Sequence, residues 1–144
     1  MRELLEASFR AAVAAADPLR ILTAHLPQPP RGRLYVAAAG KAAAAMAVAT
    51  ENHYGQAVEG IAITRYGHGL PTRRIRVVEA GHPVPDEAGE NAAREILQNA
   101  MQLAEEDLLL VLISGGGSSL LSLPAPGVTM ADLKSLTGKL LRSG

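Results

Sequence analysis

The sequence predicts an α/β fold, a parallel sheet sandwiched by helices in the Rossmann-like manner, over residues 1–144. Three observations carry this. Short apolar runs alternate with stretches of helical periodicity, and strands alternating with helices imply βαβ units and a parallel sheet. The 144 residues are 48% hydrophobic, enough for one packed core and far from a disordered composition. Alanine contributes 26 residues while aromatics make up only 3%, so the helices carry small side chains that sit close to a sheet.

Each element has its own signature. Residues 2–16 read as a helix: Leu4, Leu5, Phe9, Ala12, Val13 and Ala16 recur at helical spacing, and Glu3, Glu6 and Arg10 fall elsewhere. Asp17 followed by Pro18 is an N-cap with proline at the first helical position, opening a short helix to about His25. The proline-rich stretch 27–32 ends it. Residues 33–38 (RLYVAA) suit a buried strand, closed by Gly40 and Lys41, and 42–54 favour helix. Strands are expected at 58–64 (VEGIAIT) and 75–79 (IRVVE). Asp86 caps a long helix in which Ala88, Ala92, Ile96, Ala100 and Ala104 repeat every fourth residue. Residues 107–113 (DLLLVLI) are the clearest strand, and their unbroken apolar run predicts cover on both faces. Thr129 and Asp132 form a capping box for a last helix, 130–142. That helix closes on Arg142, Ser143 and Gly144, which suits either a natural terminus or the front part of a longer protein.

Composition removes several function classes. Fourteen basic residues balance fourteen acidic ones, so there is no electrostatic footprint for nucleic acid or an anionic membrane surface. With no cysteine, disulfides, thiolate catalysis and Cys-type zinc sites are excluded. No apolar run approaches the roughly 20 residues that span a bilayer. Met1, Arg2, Glu3 and Leu4 open on an amphipathic pattern rather than a signal peptide. The expectation is a soluble, cytoplasmic chain.

The strongest functional signal is LISGGGSSLL (112–121), placed directly after the clearest strand. Ligands in open α/β sheets bind beyond the carboxyl ends of strands. Gly115, Gly116 and Gly117 let successive backbone N–H groups point into one concavity, as a loop holding phosphate or carboxylate oxygens requires. Ser114, Ser118 and Ser119 add hydroxyl donors. A nucleophile elbow fails on spacing, because Gly116-Gly117-Ser118-Ser119-Leu120 lacks the second glycine of G-x-S-x-G. A dinucleotide fingerprint fails too, since its third glycine position is Leu120.

Lys41 stands at the start of a helix, where the dipole already presents positive charge; the placement makes sense if an anion arrives there. This is not a Walker A loop, which would need glycine at Tyr35 and Ser or Thr at Ala42. Two further loops, TRYGHG (64–69) and AGHPVPD (80–86), bring His68 and His82 to the same edge. A lone histidine in a turn is more often structural, and the recurrence of two on one edge makes both site candidates. His25 and His53 lack such a context. The four histidines show no H-E-x-x-H spacing, so no metal-ligating residue is assigned.

In order, AAAGKAAAAMA, TRYGHG, EAGHPVPD and LISGGGSSLL resemble the N-terminal domain of type-2 glycerate kinases. These are the glycerate 2-kinases whose C-terminal part is called the MOFRL domain, and some members carry the label hydroxypyruvate reductase. The resemblance covers nearly the whole chain. It implies ATP-dependent phosphorylation of D-glycerate to 2-phosphoglycerate with Mg²⁺, in a cleft between two α/β domains. It also implies that Lys41 is the active-site lysine and that the loop Ser114, Gly115, Gly116, Gly117, Ser118, Ser119 faces the ligand. The implied partners are glycerate and a nucleotide, with a homodimer left open. Family members are considerably longer, so residues 1–144 correspond to the N-terminal domain of a two-domain enzyme, without the MOFRL domain and its active-site arginine. Two other readings stand beside this: a hydroxypyruvate reductase using a nicotinamide cofactor, and a non-catalytic binding or assembly module whose alanine-rich helices pack on a partner.

Overall fold

A computed structural model describes residues 1–143. Helix α1 (Arg2–Ala15) leads into α2 (Pro18–Ile21), whose N-cap Asp17 accepts a hydrogen bond from the Leu19 amide at 3.0 Å. Strand β1 (Leu34–Ala39) is followed by α3 (Ala43–Tyr54), β2 (Val58–Arg65), β3 (Ile75–Ala80) and α4 (Glu87–Ala100). Then come β4 (Leu108–Ile113), the single turn α5 (Gly117–Leu120) and α6 (Met130–Ser143). The expected elements are all present, with shifts at their ends. Helix α4 stops at Ala100 rather than running to Ala104, because 101–107 turn back to bring Asp107 beneath Arg33. Asp107 itself lies outside the strand. Its carboxylate accepts from the backbone N–H groups of Arg33 (2.6 Å) and Ala104 (2.9 Å), fixing the starts of β1 and β4 together.

The four strands run in the order β3-β2-β1-β4, all parallel. Every residue of β1 is buried, as its central place demands. On one face Ala43, Met46 and Ala47 of α3 pack on Leu34, Val36 and Ala38; alanines at the contact let helix and sheet approach closely. On the other face Ala92 and Ile96 of α4, with Leu120, pack on Ala37, Ile61 and Ile63.

One expectation is corrected. The apolar run of β4 predicts cover on both faces, yet β4 is an edge strand and Leu109, Val111 and Ile113 are exposed on one side. Helix α4 lies over the β2–β3 half of that face and does not reach across β4. The apolar stripe of α1 (Leu4, Leu5, Phe9, Val13) is exposed as well. Among the described residues no helix is long and apolar enough to cross a membrane.

Parallel strands put all their carboxyl ends on one edge. Ala39 is in register with Ile63 and Ile113, and Arg65 with Ala80, so the segments after all four strands emerge together. From β1 the chain builds outward to β2 and β3, then returns to place β4 on the other flank of β1. The order therefore reverses between β1 and β4, and open α/β sheets bind ligands at such a switch point.

Candidate functional site

The loops after β1 and β4 flank the switch point and are bonded to one another. The Lys41 amide donates to Gly115 O at 2.9 Å, the Ser114 amide to Ala39 O at 2.9 Å, and the Ala42 amide to Ser114 Oγ at 3.0 Å. Ser114 thus caps the entrance to α3 from a neighbouring strand. Gly40, at φ +128°, has the Ser114 backbone where a Cβ would stand, so only glycine lets the two loops approach this closely. Here the close approach is what places Lys41 over the glycine loop. Its Cε and Nζ lie 3.6 and 3.8 Å from the point a Cβ on Gly115 would occupy. The Lys41 side chain is exposed and forms no ion pair among the described residues.

The glycine loop departs from the simplest expectation. Of its three successive amides, Gly117 donates to Ser114 O at 3.2 Å, closing the first turn of α5, so it is not available to an anion. Among the described residues the amides of Gly115 and Gly116 donate to no backbone carbonyl. Gly116 is the N-cap of α5 at φ +90°, and a Cβ there would stand 2.5 Å from His82 Nε2. His82, half-buried, is thereby seated against Gly116. The Ser119 hydroxyl donates to Gly116 O at 3.1 Å and stiffens the turn. Ser118 is exposed, and among the described residues its hydroxyl makes no hydrogen bond.

His68 is placed differently. It lies in the exposed turn after β2, where its backbone N–H and that of Gly69 donate to Glu79 Oε1 at 3.0 and 2.8 Å, and its imidazole makes no hydrogen bond among the described residues. The structure thus brings Lys41, Gly115, Gly116 and His82 together, with Ser114 and Ser119 bracing them, and leaves His68 outside this cluster.

Tyr66 and Glu79 were not among the sequence candidates, yet they hold the neighbouring loops. The Tyr66 hydroxyl donates to Asp86 Oδ2 at 2.8 Å, while Asp86 Oδ1 accepts from the Gly89 amide at 3.1 Å as N-cap of α4. Burial pushes the Asp86 carboxyl up. Hydrogen bonds from the Gly89 and Gly81 amides and from Tyr66, with Lys134 nearby, outweigh it and hold the carboxyl below its ordinary value. The Tyr66 hydroxyl is raised in turn, chiefly by its bond to that carboxylate. The only signal in the sequence was that Tyr66 sits two residues before a motif histidine; periodicity says nothing of where its hydroxyl goes.

The Gly115 and left-handed Gly116 amides, without a backbone acceptor among the described residues, lie in one loop with the unpaired Lys41 ammonium near Gly115. The described residues contain no group of three His, Asp or Glu side chains able to hold a metal. Mg²⁺ is commonly held by one or two carboxylates together with substrate phosphates. The residues around this loop supply no such cluster of their own.

A family model, Domain of unknown function (DUF4147), matches residues 4–144. The chain belongs to the DUF4147 family. It is 46% identical over 144 residues to an Agrobacterium vitis protein provisionally named a hydroxypyruvate reductase, a match covering 99% of this chain and 33% of that protein. It is 46% identical over 114 residues to a glycerate 2-kinase of Pyrococcus horikoshii, covering 79% of this chain and 26% of that one. Its fold matches the crystal structure of a glycerate kinase from Thermotoga maritima with a TM-score of 0.79 at 38% identity, over 94% of this chain and 33% of that chain. The chain thus spans between a quarter and a third of the length of these relatives.

Proposed function

We propose that residues 1–144 form the N-terminal part of a cytoplasmic glycerate 2-kinase that transfers the γ-phosphoryl group of ATP to the 2-hydroxyl of D-glycerate. On this reading a C-terminal MOFRL domain completes the cleft. The observation that supports the reading is the bond from the Lys41 amide to Gly115 O, with Lys41 Nζ 3.8 Å from the point a Cβ on Gly115 would occupy, at the switch point. The glycerate 2-kinase and glycerate kinase relatives supply the substrate class.

In the transfer, the hydroxyl oxygen of glycerate bonds to the γ-phosphorus, the bond from that phosphorus to the β–γ bridging oxygen breaks, and ADP leaves. The hydroxyl proton passes to a base or to solvent. Such a transition state is stabilised by positioning and by neutralising charge rather than by covalent participation of the protein. Here Gly115 and Gly116 donate to anionic oxygens, and Lys41 neutralises either the moving phosphoryl group or the glycerate carboxylate. His82 packs against Gly116, in the space a Cβ there would need. Mg²⁺, when bound with the nucleotide, neutralises phosphate oxygens.

The test uses the enzyme carrying its second domain, supplied with ATP and D-glycerate. The expected product is 2-phosphoglycerate. Lys41→Ala is expected to lower kcat about 10²- to 10³-fold, the scale of losing one charged contact to the transition state, with the melting temperature unchanged. Oxidation of NADH with hydroxypyruvate, without ATP consumption, would overturn the kinase reading and favour the reductase.

A further inference from the structure

The amino edge of the sheet carries a crevice that the proposed kinase chemistry leaves unused. It opens beside the starts of β1 and β2 and encloses about 220 Å³. The length of β1, about 20 Å, separates it from Lys41 and the glycine loop. Leu34 and Val58, partners in register, give it an apolar lining, and Arg33, Arg74, Gln56 and Glu59 add polar groups. Both arginines are held stationary. Arg33 Nε and Nη2 donate to Asp107 Oδ2 at 3.2 and 3.0 Å, and Nη2 also donates to Gln102 O at 2.7 Å. Arg74 Nε donates to Gln56 Oε1 at 2.7 Å, with Nη2 on the same oxygen. Their backbones are clasped too, the Arg33 amide by Asp107 and the Arg74 amide by Glu51. Among the described residues Nη1 of each guanidinium has no partner. A planar fork held in advance loses little freedom when a ligand arrives.

The charges decide what that ligand is. Asp107 neutralises Arg33, and the Glu51 carboxylate is occupied by the amides of Arg73, Arg74 and Ile75. Gln56 orients Arg74 without neutralising it, and Arg74 forms no ion pair among the described residues. Glu59, exposed on β2, likewise forms no ion pair there. One cavity thus presents an uncompensated cation and an uncompensated anion. A phosphate dianion gains from Arg74 but is opposed by Glu59. A molecule of zero net charge with separate carboxylate and ammonium groups satisfies both, its carboxylate on the guanidinium groups and its ammonium on Glu59. The volume is below the roughly 300 Å³ at which pockets for drug-sized ligands begin, so a nucleotide is too large. Leu34 and Val58 favour an aliphatic side chain on the ligand. We infer that this crevice binds a free aliphatic α-amino acid, with Arg33 and Arg74 on its carboxylate and Glu59 on its ammonium. The inference rests on the amino edge alone and is independent of the kinase reading.

The experiment titrates the 144-residue chain with L-valine and follows backbone amide shifts by NMR. Three further probes dissect the contacts: isovalerate, which lacks the ammonium, isobutylamine, which lacks the carboxylate, and inorganic phosphate. Saturating shifts are expected at Leu34, Val58 and Glu59 with a Kd of about 1 mM, while Gly115 and Gly116 stay unmoved. Isovalerate and isobutylamine are each expected to bind about tenfold or more weakly, since each lacks one charge-assisted contact. Arg74→Gln is expected to weaken L-valine by a similar factor and to leave isobutylamine unchanged. Glu59→Gln is expected to weaken L-valine and to leave isovalerate unchanged or tighter. Both side chains are exposed, so the Tm of either variant should stay within about 2 °C of the parent. No saturation by L-valine at about 50 mM, shifts centred on Gly115 and Gly116, or either variant binding L-valine as the parent does would overturn the inference. So would isovalerate or inorganic phosphate binding as tightly as L-valine, which would assign a plain anion site instead. No arm reads catalysis, so failure here is distinct from failure of the proposed kinase activity.

Discussion

Gly116 is where backbone conformation and site chemistry meet. Its φ of +90° is costly for any L-residue, and a Cβ would collide with His82 Nε2. Gly116→Ala therefore carries both penalties, on the order of 1–3 kcal/mol of strain, and is expected to lower Tm by roughly 4–8 °C. Ser118→Ala removes an exposed hydroxyl with no partner and is expected to leave Tm within about 2 °C. Calorimetry of the two variants side by side checks this, and an unchanged midpoint for Gly116→Ala would mean the loop and His82 relax at no cost. The glycine run was legible in the sequence as a loop demanding unusual backbone, and its place after the clearest strand was legible too. Which amides stay free was not. Gly117 turns its N–H to Ser114 O because α5 begins at once, and only the three-dimensional turn records that.

At the scale of elements, the opposite end of the sheet shows a device that no periodicity announces. The Glu51 carboxylate, on the last turns of α3, accepts from the backbone N–H groups of Arg73 (2.9 Å), Arg74 (2.5 Å) and Ile75 (2.6 Å). It fixes where β3 begins and ties the helix-free crossover from β2 onto the α3 face. Glu51→Gln keeps the shape but loses charge assistance, and leaves some of these three amides poorly paired. A loss of about 2 kcal/mol follows, or roughly 6–8 °C in Tm. A shift under about 2 °C in thermal melts would show that solvent already satisfies these amides. The elements themselves were legible to within a residue or two at most ends, because apolar runs and caps such as Asp17, Asp86 and Thr129 are local signals. The side-chain clasps that set register were not, since Glu51 and Asp107 each act on residues more than twenty positions away.

At the scale of the whole molecule, the sequence conveyed the layered sheet and its functional edge but misjudged β4. A continuous apolar run says that a strand will be covered, and cannot say by which polypeptide. The same distinction between local and distant causes governs the response to acid. Burial pushes the Glu51 carboxyl up, but the amides of Ile75, Arg73 and Arg74 prevail and hold it below its ordinary value. The Ala104 and Arg33 amides lower Asp107, and Asp86 is lowered likewise. A carboxylate whose folded pKa lies below its unfolded one stabilises the fold fully above the unfolded value, about 4. That contribution is lost as pH falls through the folded pKa, because the unfolded chain takes up protons first. Thermal midpoints should therefore be level from pH 7 to about 5 and decline below that. Because Glu51, Asp86 and Asp107 clasp different elements, the loss should appear as one cooperative weakening rather than local fraying. Glu51→Gln supplies the control: the Tm difference between it and the parent should be greatest near neutrality and shrink as pH drops below about 4, first as the unfolded chain takes up protons and finally as the folded carboxyl, held lower, is protonated too. A difference that stays constant from pH 7 to 3 would show that the Glu51 clasp works through shape alone, and that its charge contributes nothing to the fold.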